Sequence, residues 1–436
     1  MSAQVEETSV LFIHPPQKYD LQHYSFLSAG MLLNAWFLSK NGLKVIISKV
    51  KKRDELLNII NKLKPSHVII SLHWSVHSYG AIQVAKDIKK HCEEILVGLA
   101  GNTATYYARE ILARFGNYID FICRGDCEIP LYLYIRKNIV TDNVILSPYY
   151  KYSKPKKIRY MYKTNKIILS SFSLEDLIKY HEYLKCVFTK DKIVFIISGK
   201  GCKFSCIHCG GSAYFYNRNY GYDFVSRDIV AIIRDTIYSH ANFTEIRKFF
   251  THDIFSLYSI TEQKYFATNL PKELYVEYEL FDIPQNIEIF REFITKLQSK
   301  SIIAISIDYI DDELRLKFNK GKKLSYGTLV KFLCKMSKEI KARDIFIYLY
   351  IIRNFPRRHT VLALDEFINK LYNDISKLGL RENTLILSMD ISIDPGSELY
   401  EYPKKYGIKV LFSDFYELYK LYSKIDKKNY RIIGFR

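Results

Sequence analysis

Hydrophobic residues in the first 140 positions fall into short continuous runs, separated by segments of helical period. The runs predict five strands, at residues 9–13, 43–47, 67–71, 95–97 and 119–122. Between them, apolar positions recur at the spacing of amphipathic helices. Strands that are apolar throughout and alternate with helices are typical of parallel sheets covered on both faces. The pattern therefore predicts a doubly wound, Rossmann-like α/β domain over residues 1–140.

Residues 141–190 interrupt this alternation with a basic, tyrosine-rich stretch punctuated by proline. We interpret them as a linker with one or two short strands and a helix near residues 174–184. The alternation then resumes, and six apolar runs predict strands at residues 193–198, 246–250, 274–280, 302–308, 345–352 and 385–391. Six consecutive β-α units predict a TIM-like partial (β/α)6 barrel over residues 191–400, followed by a C-terminal extension at 401–436.

Small or polar residues mark the carboxyl ends of the predicted strands in the first domain. They are Ser71 after the third strand, Gly98 and Gly101 after the fourth, and Gly125 and Glu128 after the fifth. Ligands of open α/β sheets bind at this edge, and glycines there let a bulky ligand approach the backbone. The glycines are equally typical of ordinary turns. No G-x-G-x-x-G sequence follows the first strand, which argues against a nicotinamide dinucleotide.

Three of the eight cysteines lie in one loop after the predicted strand at 193–198. Cys202, Cys206 and Cys209 have the spacing C-x3-C-x2-C, and thiolates so close together suit an iron–sulfur cluster or zinc. A four-iron cluster held by three cysteines leaves one iron open to a small molecule. Gly210 and Gly211 follow directly and let the backbone approach such a molecule.

A structural zinc site is the alternative interpretation of this loop, with His208 as a fourth ligand. Structural zinc usually recruits a second pair of ligands at short spacing further along the chain. Here Cys334 is the one later cysteine, and it lies in an apolar helical pattern. The spacing therefore favours the cluster, with zinc still open at this point.

Composition and charge limit the cellular compartments and the kinds of partner that we expect for this protein. The chain has 436 residues with 48% hydrophobic residues, yet no apolar run reaches the roughly 18 residues of a membrane span. The first residues lack the pattern of a secretion signal, and the scattered cysteines do not form a disulfide framework, so we expect a cytoplasmic protein. The net charge of +19 predicts attraction to an acidic or lipid substrate. Because the charge is spread along the chain, we expect no stable nucleic-acid partner.

The cysteine loop, followed by two glycines and a six-unit β-α pattern, resembles the radical S-adenosylmethionine (SAM) superfamily. His208 departs from the aromatic residue that is usual before the last cysteine. Further along, the stretch from Ser306 to Arg315 and the D-P-G-S sequence at Asp394 resemble the family's later motifs. Asn354-Phe-Pro replaces a usual G-L-P.

The first domain resembles the cobalamin-binding domain that precedes the barrel in many radical SAM enzymes. The resemblance rests on Pro15-Pro16 after the first strand, on the Gly98 turn, and on Gly125-Asp-Cys-Glu128-Ile-Pro-Leu131. The D-x-H-x-x-G motif, whose histidine binds cobalt in some cobalamin proteins, is absent, as in many members of this family. His14, His73 and His77 lie near predicted strand ends and are candidates to approach the corrin. Ordinary hydrogen-bonded histidines are the competing interpretation.

The resemblance implies roles for individual residues. Cys202, Cys206 and Cys209 would bind a 4Fe–4S cluster, whose open iron would bind SAM. The remaining implied contacts are Gly210 and Gly211 to the SAM amine, Glu279 or Asp308 to the ribose or the amine, Arg315 to the SAM carboxylate, and Ser71, Gly98, Gly101, Gly125 and Glu128 around cobalamin.

The resemblance also implies an activity. One electron, supplied by a donor such as ferredoxin or flavodoxin, would cleave SAM, and methylation of an unactivated carbon is the outcome implied when cobalamin is present. Radical carbon–carbon bond or ring formation, for example on lipid chains, is the alternative on the same scaffold. A zinc-containing RNA-binding module is the alternative from another class.

Overall fold

The structure is a computed structural model that describes residues 9–18, 26–309, 312–318, 324–353, 361–391 and 393–424. Two six-stranded sheets, each flanked by helices, dominate this part of the chain. The Asn354-Phe-Pro stretch lies outside the described residues.

The first sheet forms where the apolar runs predicted it. Its strands are β1 (Ser9–His14), β2 (Lys44–Lys49), β3 (His67–Ser71), β4 (Leu96–Ala100) and β5 (Phe121–Cys123), and its helices are α1 (Ala29–Lys40), α2 (Arg53–Leu63), α3 (Ser78–His91), α4 (Asn102–Tyr106), α5 (Ala108–Phe115) and α6 (Glu128–Lys137). The five strands are parallel in the order β2-β1-β3-β4-β5. The doubly wound fold is thus confirmed. Its strand order reverses between β1 and β3, the point where such sheets bind ligands.

The middle segment contributes more structure than a linker needs. It contains β6 (Ile139–Val140), β7 (Val144–Leu146), β8 (Lys156–Lys157), α7 (Lys166–Ser171), α8 (Leu174–Tyr180) and α9 (Leu184–Asp191). β7 pairs antiparallel with β5 and becomes the sixth strand of the first sheet. β6 and β8 form a small parallel pair. The division of the chain at residues 140 and 190 stays a prediction.

The second half again alternates strands and helices. Its strands are β9 (Ile193–Ile196), β10 (Gly199–Gly201), β11 (Phe224–Ser226), β12 (Arg247–Phe250), β13 (Val276–Leu280), β14 (Ile302–Asp308), β15 (Phe346–Ile352) and β16 (Thr384–Met389). Its helices are α10 (Ala213–Asn219), α11 (Ile229–Asn242), α12 (Ile254–Leu257), α13 (Ile260–Asn269), α14 (Ile287–Thr295), α15 (Asp312–Lys317), α16 (Tyr326–Ala342), α17 (Val361–Lys377), α18 (Glu398–Glu401) and α19 (Phe415–Ser423).

Six of these strands form one parallel sheet in sequential order, β9-β12-β13-β14-β15-β16. All six predicted β-α units are present. Within the described ranges β9 and β16 are the unpaired edges of this sheet. Closure of the sheet into a partial barrel stays a prediction.

Aromatic side chains fill the space between the second sheet and its helices. The fully buried Tyr278 packs against the rings of Phe250, Phe255 and Phe293. Burying one such side chain stabilises the fold by about 1.5–3 kcal/mol. The many Phe and Tyr residues are therefore used at least partly as ordinary core.

The C-terminal helix returns to the first domain. Phe415 of α19 packs on Phe115 and Tyr107, and the Tyr107 hydroxyl donates to that of Tyr400 over 2.6 Å. These contacts hold α19 against α5. No helix in the described part of the chain is long and apolar enough to cross a membrane.

Candidate functional site

A cavity of about 320 Å³ lies between the carboxyl ends of the two sheets. One wall belongs to the first domain and includes Ser71 after β3, Gly101 after β4 and Gly125 after β5. The opposite wall belongs to the second domain and includes Lys200 of β10 and Gly211 of the cysteine loop. The two ligand-binding edges predicted from the sequence therefore face one space.

Two residues predicted to contact cobalamin do not line this cavity. Gly98 lies within β4, where an added Cβ would overlap the ring of Phe121, so close packing inside the domain requires glycine there. Glu128 begins α6 and is fully buried behind Lys200. Both residues support the wall from behind.

A buried charge cluster joins the two domains at the cavity. The Lys200 ammonium lies 2.5 Å from Asp126 Oδ1 and 3.1 Å from Glu128 Oε1. Burial alone would lower the pKa of Lys200, but these two carboxylates raise it well above its usual value. Burial raises the pKa of Glu128, and the nearby Lys200 charge opposes that rise. A lysine of the second domain thus neutralises acids of the first.

Lys200 lies on a two-stranded antiparallel sheet that the sequence pattern did not reveal. β10 pairs antiparallel with β11, and Gly201 adopts φ +83°, where a Cβ would overlap the Asp223 carbonyl oxygen. The Asp223 carbonyl in turn accepts the Cys202 N–H over 2.9 Å. The G-K-G sequence was the available signal, because two glycines around one lysine indicate a tight backbone approach. The pairing of β10 with β11 fixes the start of the cysteine loop.

Backbone N–H groups point at two of the three predicted ligands. Phe204 N donates to Cys202 Sγ over 3.4 Å, and Gly211 N donates to Cys209 Sγ over 3.2 Å. Such hydrogen bonds stabilise thiolates and tune iron–sulfur clusters. Burial raises the pKa of Cys209 well above its usual value, and the Asp394 carboxylate adds to this rise.

The donor set of the loop fits a cluster by its chemistry. Three thiols in eight residues, two of them receiving N–H groups, are soft ligands of the kind that iron–sulfur clusters require. Among the described residues, no group of three or more His, Cys, Asp or Glu side chains is arranged to hold a metal ion. The three cysteines as ligands therefore stay a prediction.

The D-P-G-S turn locks the cysteine loop from the other side. Gly210 N donates to Asp394 Oδ2 over 2.9 Å, and an added Cβ on Gly210 would lie 2.7 Å from Asp394 Cβ. His208 pairs its Nδ1 with the Tyr309 hydroxyl at 3.0 Å. Gly210 is therefore required by loop packing, and its predicted contact with the SAM amine stays a prediction.

The predicted polar residues of the second sheet lie at the end of β13 and β14. The Ser306 hydroxyl donates to Glu279. Asp308 adopts φ +61° where the pairing of β14 with β15 shifts register, a conformation that non-glycine residues rarely adopt.

Arg315 has side-chain nitrogens that are not used in hydrogen bonds within the described part of the protein. It is only 3% exposed, and its Nη2 donates to the Tyr309 carbonyl over 3.1 Å. Its Nε and Nη1 are buried and have no hydrogen-bond partner in the described part of the protein. Burial lowers the pKa of this guanidinium, and the charges of Asp312 and Asp308 oppose that. A buried guanidinium with two unpartnered nitrogens can donate to an anionic ligand such as a carboxylate.

Of the histidines near strand ends, His73 lines the cavity, and His252 lines it from the opposite wall. Burial lowers the pKa of His73 to about 4, with smaller contributions from His77 and Lys200. Burial likewise lowers the pKa of His252 to about 4. His14 and His77 pack against each other, 4.9 Å between ring centroids, and do not reach the cavity wall.

Solved structures share this fold. The chain superposes on the radical S-adenosylmethionine methyltransferase TsrM from Kitasatospora setae with tryptophan substrate and a SAM analog bound, at a TM-score of 0.66 and 13% identity, covering 91% of this chain and 76% of that one. A second TsrM structure, with cobalamin and a [4Fe-4S] cluster bound, gives a TM-score of 0.64 and 13% identity, covering 92% and 75%. Searches of family models and of curated proteins find no match. The predicted resemblance is thus confirmed at the level of the fold.

Proposed function

We propose that this chain is a radical SAM enzyme that also binds cobalamin and methylates an unactivated carbon of a small substrate. The observation that carries the proposal is the cavity between the two sheets. The ligand-binding edge of a doubly wound sheet forms one wall, and the second domain forms the other, through Lys200 just before the three cysteines and Gly211 just after them. Reactions that need two cofactors need both to reach one space. The shared fold with TsrM, whose structures hold SAM analog, cobalamin and cluster, supports the same assignment.

In this proposal the second domain holds the cluster and SAM. Cys202, Cys206 and Cys209 bind the cluster, and Arg315 pairs its free N–H groups with the SAM carboxylate. Glu279 or Asp308 accepts from the ribose hydroxyls or the amine of SAM. Bound together, the cofactors would supply a reducing electron and a transferable methyl group. The protein orients them and keeps water out.

The first wall has polar groups suited to a corrin. Asn34 of α1 lines the cavity, is 7% exposed, and its buried Oδ1 has no partner among the described residues. Ser28 and Ser71 also line the cavity, and their hydroxyls lie 3.2 Å apart. Cobalamin carries primary amides around its ring, and these donate the hydrogen bonds that such acceptors need. Cobalamin therefore fits the residues present.

The proposal extends to the partner and the compartment. An external one-electron donor of the ferredoxin or flavodoxin class would supply the cluster, and the +19 net charge of the chain favours such an acidic carrier. A reduced cluster needs a reducing compartment, so we propose a cytoplasmic location.

The test is anaerobic purification and reconstitution with iron, sulfide and cobalamin, followed by absorption spectra, metal analysis and assay of SAM cleavage. We expect a brown protein that retains the corrinoid and cleaves SAM when reduced. Cys206→Ala should lose the cluster spectrum and all SAM cleavage. The matched control is Cys334→Ala, an exposed thiol on α16, which should change neither.

Each other outcome points to a different function. A colourless protein that holds zinc would contradict the cluster and favour the zinc-containing module. A protein that cleaves SAM but retains no corrinoid would leave radical carbon–carbon bond or ring formation in place of methyl transfer. Cys206→Ala with wild-type cleavage would contradict the assignment of the loop.

A further inference from the structure

His73 belongs to the wall of the cavity that the first domain forms. It follows β3 by two residues, next to the point where the strand order reverses, and it is one of the residues that line the cavity. The ring packs edge-on against Trp74, with 4.6 Å between centroids. No side chain or backbone group of the described residues hydrogen-bonds to its ring nitrogens. An imidazole that is held in place by packing, and whose nitrogens have no hydrogen-bond partner among the described residues, can bind a metal ion.

The other metal-binding atoms on this wall are poorer candidates. Cys127 lies 3.3 Å from the Cys123 carbonyl oxygen and 3.4 Å from that of Gly125, and its thiol donates to these oxygens. Met31 offers only a thioether, which is a weak ligand beside an imidazole. His73 is thus the strongest donor that the described part of the first domain presents to the cavity.

The opposite wall assigns the two faces of a bound corrin. His252, Lys200 and Gly211 come from the second domain, on the side of the cysteine loop. A planar ring held between the walls would turn one face toward His73 and the other toward this loop. A ligand from the first wall leaves the second face free for the methyl group and for SAM. The placement of His73 is therefore compatible with the proposed reaction, whereas a ligand from His252 would block it.

We propose that His73 binds the cobalt of the corrinoid from the face turned toward the first sheet. This inference rests on the function proposed above. It gives the chain a protein imidazole on cobalt although the D-x-H-x-x-G motif is absent. The sequence offers His73 only as one of three candidate histidines, and the cavity selects it because His14 and His77 do not line the wall.

The test is electron paramagnetic resonance of the reconstituted protein with its cobalamin reduced to Co(II). One axial nitrogen splits the cobalt lines into triplets when it is ¹⁴N and into doublets when it is ¹⁵N. We expect triplets in unlabelled protein and doublets in protein whose histidines are ¹⁵N-labelled. The labelled variant His73→Gln should lose the doublets. The labelled control His252→Gln, from the opposite wall, should keep them.

A second variant separates ligation from folding. In His73→Ala, added ¹⁵N-imidazole should restore the doublets, because it can occupy the space of the missing ring. Doublets that survive in His73→Gln would overturn the inference, as would triplets in labelled wild type, which would come from cobalamin's own base. Bound corrinoid without a histidine doublet defeats this inference alone. Failure of the wild type to retain corrinoid defeats the cobalamin part of the proposed function as well.

Discussion

The two domains that form the cavity stabilise their buried carboxylates in different ways. On the first side, Asp126 and Glu128 are 1% and 0% exposed, and each forms an ion pair with Lys200 from the other domain. On the second side, the 0% exposed Asp253 is satisfied by its own domain, through the Phe255 and Phe281 N–H groups and the Tyr278 hydroxyl.

Arg315 differs from both arrangements. The nearest carboxylate oxygen, on Asp312, is 4.0 Å from its Nη2, and its Nε and Nη1 have no partner in the described ranges. Buried polar groups are normally satisfied, and an exception calls for a reason. The comparison indicates that Lys200 is a structural charge that holds the domains together, whereas Arg315 is held ready for a ligand.

The largest expected effect comes from removing Lys200. Lys200→Met leaves Asp126 and Glu128 buried without their cation, and breaking a buried ion pair costs about 3–5 kcal/mol. We expect the free energy of unfolding, measured in urea, to fall by that amount. The control Lys185→Met removes a lysine whose partner Glu182 is 83% exposed and should cost less than about 1 kcal/mol.

A second variant tests whether the loss comes from the unpaired acids. The triple variant of Lys200→Met, Asp126→Asn and Glu128→Gln removes all three charges and should recover much of the stability. If Lys200→Met alone unfolds no more easily than Lys185→Met, the ion pairs do not hold the domains together.

The fold was largely predictable from the sequence, because local pattern specifies it. Runs of apolar residues gave every strand of the second sheet and five of the six in the first, since a strand buried on both faces must be apolar throughout. One or two short strands were predicted in the segment that contains β7, but not its pairing with β5, because three residues carry no period. The pairing of β10 with β11 was not predicted, because each strand has only three residues and the lysine of β10 contacts a partner about 75 residues earlier in the chain.

The site was predictable only in part, for the same reason. The cysteine loop is a local motif, and its spacing alone indicates soft ligands. The pairing of Lys200 with Asp126, the free N–H groups of Arg315 and the position of His73 are tertiary facts. Gly98 is a residue that the sequence wrongly suggested as a cavity contact. It is needed for packing against Phe121, and position in the sequence does not distinguish such a glycine from a ligand-binding one.

A smaller effect is expected from replacing Arg315, and it should appear in SAM binding more than in the stability of the fold. Arg315→Met removes the partner of the SAM carboxylate, and a hydrogen bond to a charged group contributes about 1.5–3 kcal/mol. We expect SAM to bind about 10- to 150-fold more weakly by calorimetry. Because this guanidinium is incompletely satisfied, the same variant without ligand should lose far less stability than Lys200→Met.

The control for Arg315 is a change in the ligand. A SAM analogue without the carboxylate should bind wild type and Arg315→Met equally well, since neither then forms the pair. If the variant weakens both ligands to the same extent, Arg315 supports the site's structure and does not contact the carboxylate.

The smallest effect concerns Asp253 and is a dependence on pH. Burial raises the pKa of Asp253 from 3.8 to about 6, although its hydrogen bonds oppose the rise. The folded protein therefore holds this proton more tightly than the unfolded chain does, and stability falls as pH rises between these two values. One proton contributes at most about 1.4 kcal/mol per pH unit.

Asp253→Asn has no carboxyl proton to lose. The difference in unfolding free energy between wild type and this variant should therefore change by up to about 1.4 kcal/mol per pH unit between pH 3.8 and about 6. Above that range the difference should be constant. Chemical denaturation over a pH series measures it. A flat difference would mean that the hydrogen bonds to Asp253 offset its burial. The second side of the cavity would then hold this carboxylate as an ordinary ionised acid, without any cation from the other domain.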